Sequence, residues 1–168
     1  MLNALARLVG ATTLGAVLVA ASPAAASTAG ANLGVNATVT ANCAVTTSPV
    51  AFGNVDVTTG GSTATGSIAV TCTNGTDWTA SADQGQGSGA TLALRQMASG
   101  ANLLNYVLYT DSNQTNVWGD GVGGTTATIT GTGTGEAQTQ TIYGSIPAGQ
   151  TGAPAGSYAD TVAVTVTY

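Results

Sequence analysis

The sequence predicts an all-β fold: an incomplete immunoglobulin-like antiparallel sandwich that a donated strand would complete. Three observations carry this. From residue 33 onward, short β-branched and aromatic runs alternate with Gly, Asn, Asp and Ser punctuation, and no segment between them has a helical period. Several short strands at regular spacing indicate a sandwich of immunoglobulin type. Composition agrees, since low charge with abundant Thr, Val, Gly and Ala suits an extracellular β-rich structural protein. The third observation is the stretch Tyr158–Tyr168, an expected strand with Val162, Val164 and Val166 on one face and small or hydroxyl residues on the other. It stops on an aromatic residue with no returning strand to cover it. A long, flat, β-branched edge is an aggregation hazard for a finished domain, whereas a sandwich awaiting a strand from another molecule would end this way.

Residues 1–26 are expected to be a signal peptide, outside the fold. Met1 to Arg7 is a short n-region, Leu8 to Ala21 an apolar run, and Ser22-Pro-Ala-Ala-Ala26 a small-residue cleavage site, with Ala29 as the alternative. A transmembrane helix needs about 20 apolar residues, and this run ends sooner in Pro and small residues. No later segment approaches spanning length. What remains, residues 27–168, is long enough for one domain with a sizeable core.

The expected strands follow in order. Leu33–Ala41 alternates apolar with polar or Gly residues, and Pro49–Val57 is a second extended stretch, with Pro49 acceptable at a strand start. Thr65–Thr73 ends at the turn Asn74-Gly75, and Thr76–Ala82 follows with Trp78. After the loop Gly85–Gly89, Thr91–Arg95 begins another strand. Asn102–Thr110 sets Leu104, Tyr106 and Leu108 on one face and Leu103, Asn105, Val107 and Tyr109 on the other, as a central strand would. Asp111–Gly124 is turn-rich around Trp118, where exposure of the indole is expected. Thr125–Thr130 alternates again, Gly131–Gly135 reads as a loop, and Gln138–Ile146 is the penultimate strand. The low-complexity run Gly119–Gly135 reads either as a mobile loop or as a pair of short strands.

Charge excludes several functions. The chain has no His, and its two basic residues are Arg7 and Arg95, against seven acids: Asp56, Asp77, Asp83, Asp111, Asp120, Asp160 and Glu136. A nucleic-acid binder needs a basic footprint, and anionic lipid needs the same. Without His or Lys, the usual Ser and Cys nucleophiles lack their base, so no catalytic residue is expected. Asp111 and Asp120 read as turn formers rather than an acid/base pair. Asp120-Gly-Val-Gly-Gly lacks the acidic ladder and distal Glu of a calcium loop, and Gly85–Gly89 precedes no helix that could bind phosphate. Neither metal nor cofactor is expected. Asn36-Ala-Thr, Asn74-Gly-Thr and Asn113-Gln-Thr match the glycosylation pattern, as chance allows in a Thr-rich chain. Tyr106, Tyr109 and Trp78 read as core fillers, with Trp118 the exception, against the alternative of a sugar-binding face formed by these four rings.

Cys43 and Cys72 both lie in the exported part, and an even count in an oxidising compartment predicts one disulfide, against the alternative of two buried free thiols. It would close a loop of about 30 residues, for roughly 3–4 kcal/mol.

The succession Cys43, Val50-Ala-Phe52-Gly53, Val70-Thr-Cys72-Thr73, Arg95-Gln-Met97, Leu104–Asp111, Trp118-Gly-Asp-Gly121, Ile142–Gln150 and Gly156–Val162 resembles the spore coat protein U domain over essentially the whole exported chain. That family is similar to the pilin subunits of archaic chaperone–usher pili. The resemblance implies an incomplete immunoglobulin-like fold. A periplasmic chaperone would lend a strand, and an outer-membrane usher would exchange it for the N-terminal segment of the next, identical or related, subunit. The resulting surface fibres would support adhesion and biofilm formation. A spore-coat role stays open, since the family takes its name from such a member.

On this reading residues 27–42 form an N-terminal donor-strand segment and residues 43–168 the pilin domain. Leu33, Val35, Ala37 and Val39 would fill successive pockets of a groove, unless Leu33–Ala41 is the domain's own first strand, or serves as both. Val162, Val164 and Val166 would flank the acceptor groove, and Tyr168 with its carboxylate would anchor the chaperone.

Overall fold

The structure, a computed structural model, describes residues 23–168. The signal-peptide reading therefore falls mainly on residues 1–22, outside the described residues. Two compact units divide the chain, one ending at Ala37 and the other running from Thr38 to Tyr168. In the first, residues 23–37 form neither helix nor strand and every residue is exposed.

The second unit carries eight strands: β1 Cys43–Ser48, β2 Ser62–Cys72, β3 Asp77–Ala82, β4 Arg95–Ser99, β5 Asn102–Tyr109, β6 Ile129–Thr132, β7 Ala137–Ile146 and β8 Val164–Thr167. A single 3₁₀ turn, Val122–Gly124, is the helical content of the described residues. Five strands pair in the order β1-β2-β7-β5-β4 and three in the order β6-β3-β8, every neighbour antiparallel. The protein is all-β, and its two sheets enclose one core.

Period-two alternation explains the longest strands. Successive strand side chains point to opposite faces, so Ile68, Val70 and Cys72 of β2, Ile142 and Ile146 of β7, and Leu104, Tyr106 and Leu108 of β5 all turn inward and are buried. They meet Trp78, Ala80 and Ala82 of β3. β5 lies between β7 and β4, the interior position that its two partly apolar faces predict. Cys43 and Cys72 stand opposite each other in the β1–β2 register and are joined by a disulfide.

Besides shifted strand bounds, above all a last strand of only Val164–Thr167 where Tyr158–Tyr168 was expected, four local expectations differ from the structure. Leu33–Ala41 is not a strand, and the first strand opens at Cys43. Pro49–Val57 also pairs with nothing in a ladder, although Val50, Phe52, Val55 and Val57 pack on the core. Gly53 takes a left-handed φ of 66°, and the Asp56 carboxylate accepts bonds from Thr58 N–H and Oγ1 and from Thr59 Oγ1, closing a turn. These bonds hold the Asp56 carboxyl at a pKa of about 2, below the ordinary carboxylate range. Gly131 lies inside β6 rather than in a loop, because it passes so close to the Trp78 ring that a Cβ there would sit 2.6 Å from the indole.

The fourth difference is Trp118. It is 2% exposed, not on the surface. Its backbone N–H donates to Leu108 O at 2.8 Å and its Nε1 to Ala80 O at 3.3 Å, pinning the indole between the sheets. Trp78 is equally buried, with Nε1 donating to Gln138 Oε1 at 3.2 Å. The sugar-binding face that would include Trp118 therefore loses that ring.

Candidate functional site

The sandwich does not close along one side. A cleft of about 430 Å³ lies over the inward face of the larger sheet, where Ile68, Tyr106, Leu108, Trp118 and Ile142 form its apolar floor. One wall is the segment from Thr47 to Phe52, and the other runs from Tyr158 to Val164. Beyond Val50, Phe52, Met97 and Tyr158, which border both, a second cavity of about 860 Å³ continues over Leu104 and Ile146. Its walls are Val50–Val57 and Ala153–Tyr158.

The first wall sits close to the sheet because two inward positions lack side chains. A Cβ at Gly66 would stand 2.7 Å from Val50 Cγ2, and one at Gly144 would stand 2.6 Å from Val50 Cγ1 and 2.7 Å from Phe52 Cζ. Phe52 also meets Tyr106 edge to face, with centroids 6.5 Å apart.

The second wall changes sheets along its length. Ala159 exchanges both backbone bonds with Ala98 of β4, at 2.9 and 3.0 Å, and from Val164 the chain pairs with β3 as β8. Between them Asp160 is the junction. Its Oδ2 accepts the Tyr106 hydroxyl at 2.6 Å, and its Oδ1 accepts Gln86 N–H and Thr161 N–H at 2.8 Å each. Asp83 grips the far end: its Oδ1 accepts Ala163 N–H at 2.9 Å while its own N–H donates to Ala163 O at 3.0 Å.

Behind this wall Arg95 is fully buried. Its Nε donates to Asp83 O at 2.9 Å, Nη1 to Leu92 O at 3.1 Å and Nη2 to Trp118 O at 2.8 Å. A buried charge is tolerated only when hydrogen-bonded and compensated. Carbonyl oxygens supply the first, and the charges of Asp83 and Asp160 the second. Burial lowers the Arg95 pKa, and burial with the Asp160 bond raises that of the Tyr106 hydroxyl. The sequence reading assigned Arg95, Asp83 and Asp160 no role. The available signal was a lone arginine at a position that alternation turns inward.

Each residue expected at the site has a definite place. Val162 and Val164 line the cleft, and Val166 packs against the core opposite Ala80. β8 is the outer strand of its sheet, so one side of its backbone is unpaired within the sheet. Tyr168 is exposed, its hydroxyl 3.4 Å from Asn42 Oδ1. Leu33 and Val35 are 89% and 84% exposed, and Ala37 is exposed with them in the first unit. Val39 is 83% exposed and does not line the cleft. Just after it, Asn42 is tied to Thr73, its O accepting Thr73 N–H at 2.9 Å and its N–H donating to Thr73 Oγ1 at 3.1 Å.

Among the described residues no group of three His, Cys, Asp or Glu side chains could hold a metal ion, and no helix is long and apolar enough to cross a membrane.

Residues 29–165 match the Spore Coat Protein U domain. The chain belongs to that family. It is 36% identical, over 183 aligned positions, to Protein U of Myxococcus xanthus, with 99% of this chain and 100% of that protein covered. Among solved structures it is similar to the CsuC–CsuE chaperone–tip adhesion subunit pre-assembly complex from archaic chaperone–usher Csu pili of Acinetobacter baumannii. The TM-score is 0.57 at 20% identity, and the match covers 78% of this chain and 41% of that one. At that identity the likeness shows a shared fold.

Proposed function

We propose that this spore coat protein U family member is a structural subunit of a chaperone–usher-assembled surface pilus, polymerising by donor-strand exchange and supporting adhesion and biofilm formation. The observation that carries the reading is the open apolar cleft beside an outer strand, in a molecule that also presents an exposed alternating apolar segment. A donated strand laid against β8 would extend the three-stranded sheet, and its alternate side chains would rest on Ile68, Leu108, Trp118 and Ile142. The Leu33, Val35, Ala37 and Val39 side chains of another copy have the required period of two. Each large aliphatic taken out of water contributes about 1.5–3 kcal/mol, so three of them with a new backbone ladder make a contact that is slow to dissociate.

The same physics sets the path to the surface. Exported through the periplasm with its cleft empty, the subunit would offer an edge that pairs with any strand. A periplasmic chaperone that lends a strand, with Tyr168 as part of its anchorage, prevents this. An outer-membrane usher then exchanges the lent strand for the N-terminal segment of the next identical or related subunit. The complex in the similar solved structure, a chaperone with a tip adhesion subunit, supports the chaperone as partner. Neither nucleic acid nor direct membrane insertion enters this reading.

A spore or cell-coat role is the second reading, favoured by the family's description and by the full-length match to Protein U. One experiment separates the two. Surface-sheared material from producing cells is run unheated on a denaturing gel and viewed by electron microscopy, beside a variant lacking Ser27–Thr40 but keeping residues 1–26. The pilus reading expects a ladder of multimers and thin fibres, both lost in the deletion. Monomers in both lanes, with a stable deletion variant, would reject strand exchange and favour the coat role.

A further inference from the structure

We propose that Asp160 is a positioning residue for strand donation: its carboxylate, clamped by Tyr106 and Gln86, presets the second wall of the cleft before a donor strand arrives. This rests on the donor-strand reading above and adds to it the device that makes the cleft receptive.

The need for such a device follows from the secondary structure. Residues 160–163 belong to no strand, yet Asp160, Thr161 and Val162 form the middle of the cleft wall. A wall without a ladder would fray, and a donor would have to reorder it on binding. Binding to a site that is competent only part of the time weakens affinity by that fraction.

Three separate elements converge to prevent fraying. β5 supplies the Tyr106 hydroxyl, the loop after β3 supplies Gln86 N–H, and Asp160 accepts both while also bonding its neighbour Thr161. Gly85, at a left-handed φ of 80°, lies directly against the Asp160 carboxylate, and a Cβ there would collide with it. Three residues on, Asp83 bonds Ala163 through side chain and backbone. Arg95 in turn fixes Asp83, Leu92 and Trp118 through their carbonyl oxygens. The buried cation thereby braces the loop that carries Gln86 and keeps positive charge behind both acids. Charge-assisted hydrogen bonds are the stronger and more directional kind, which suits a fixed wall.

Two variants attack the clamp from opposite sides. Tyr106→Phe removes one hydroxyl beneath the cleft. Gly85→Ala displaces the carboxylate from a residue that does not line the cleft. Val70→Ala, in the core and away from both cavities, controls for general loss of stability. Binding of a labelled peptide spanning residues 31–42 to the exported chain is measured for each. The proposal expects about tenfold weaker binding for both clamp variants, the scale of one lost charge-assisted bond, and less than a twofold change for Val70→Ala. Equal weakening in all three at matched melting temperature would reduce Asp160 to an ordinary stabilising residue and overturn the proposal.

Amide hydrogen exchange on the peptide-free chain separates this from the donor-strand reading. Faster exchange at Gln86, Thr161 and Ala163 in the clamp variants, with Ile142 unchanged, supports the preset wall. Unchanged exchange there overturns it. No peptide binding by the unaltered chain would reject the donor-strand reading, whatever the exchange data show.

Discussion

Breaking the Cys43–Cys72 bridge should lower the melting temperature by about 13 °C. The bridge joins residues separated by 29 positions. Releasing a loop of about 30 residues restores to the unfolded chain an entropy worth roughly 3.6 kcal/mol at 25 °C. A unit of roughly 130 residues unfolds with an entropy near 0.27 kcal/mol/K, and the ratio of the two gives the shift. The location favours a full effect. β1 is an outer strand with two side chains packed on the core, Cys43 and Val45, so it relies on the β2 ladder and the bridge. The suitable replacement is Ala at both positions, because Cys72 is buried and a Ser there would bring an uncompensated hydroxyl into the core. Thermal unfolding followed by circular dichroism, with and without reductant, gives the answer. Reductant should lower the melting point of the unaltered chain to that of the double variant and leave the variant unmoved. A difference under about 4 °C would show that loop closure does not govern the stability of this fold.

Two further outcomes are expected. Because burial and the Asp160 bond raise the Tyr106 pKa above its ordinary 10.0, the folded chain keeps a proton that the unfolded chain releases. Stability should hold below pH 10 and fall above it by up to about 1.4 kcal/mol per pH unit. Denaturant titrations from pH 8 to 11.5 should show that limb flattened in Tyr106→Phe, and an identical limb would refute the assignment. Trp118→Ala should cost about 3–5 kcal/mol in urea unfolding, whereas an indole on the surface would cost less than about 1 kcal/mol.

How much of this was legible depends on the distance over which each feature is determined. β2, β5 and β7 were readable because inward residues such as Ile68, Val70 and Cys72 recur at every second position, a local signal. The disulfide was readable from count and compartment alone. Gly131 misled because glycine marks turns by frequency, while here it gives room to a ring from another strand. Pro49–Val57 carries the apolar spacing of a strand, but Gly53 and the Asp56 turn leave it unpaired. Trp118 sits among polar neighbours in sequence and between two sheets in space. The cleft was half legible. Val162 and Val164 were expected at its edge, but the opposite wall and the Asp160 clamp arise from segments far apart in the chain.

The burial of Arg95 has a consequence for resistance to proteolysis. Peptidases directed at basic residues cut after Lys or Arg, and beyond Arg7 the chain offers a single such bond, Arg95–Gln96. That bond lies within β4, behind a side chain with no exposed surface. Beyond Arg7, trypsin-like enzymes therefore have no accessible bond while the domain stays folded, and cleavage at Arg95 would report unfolding itself.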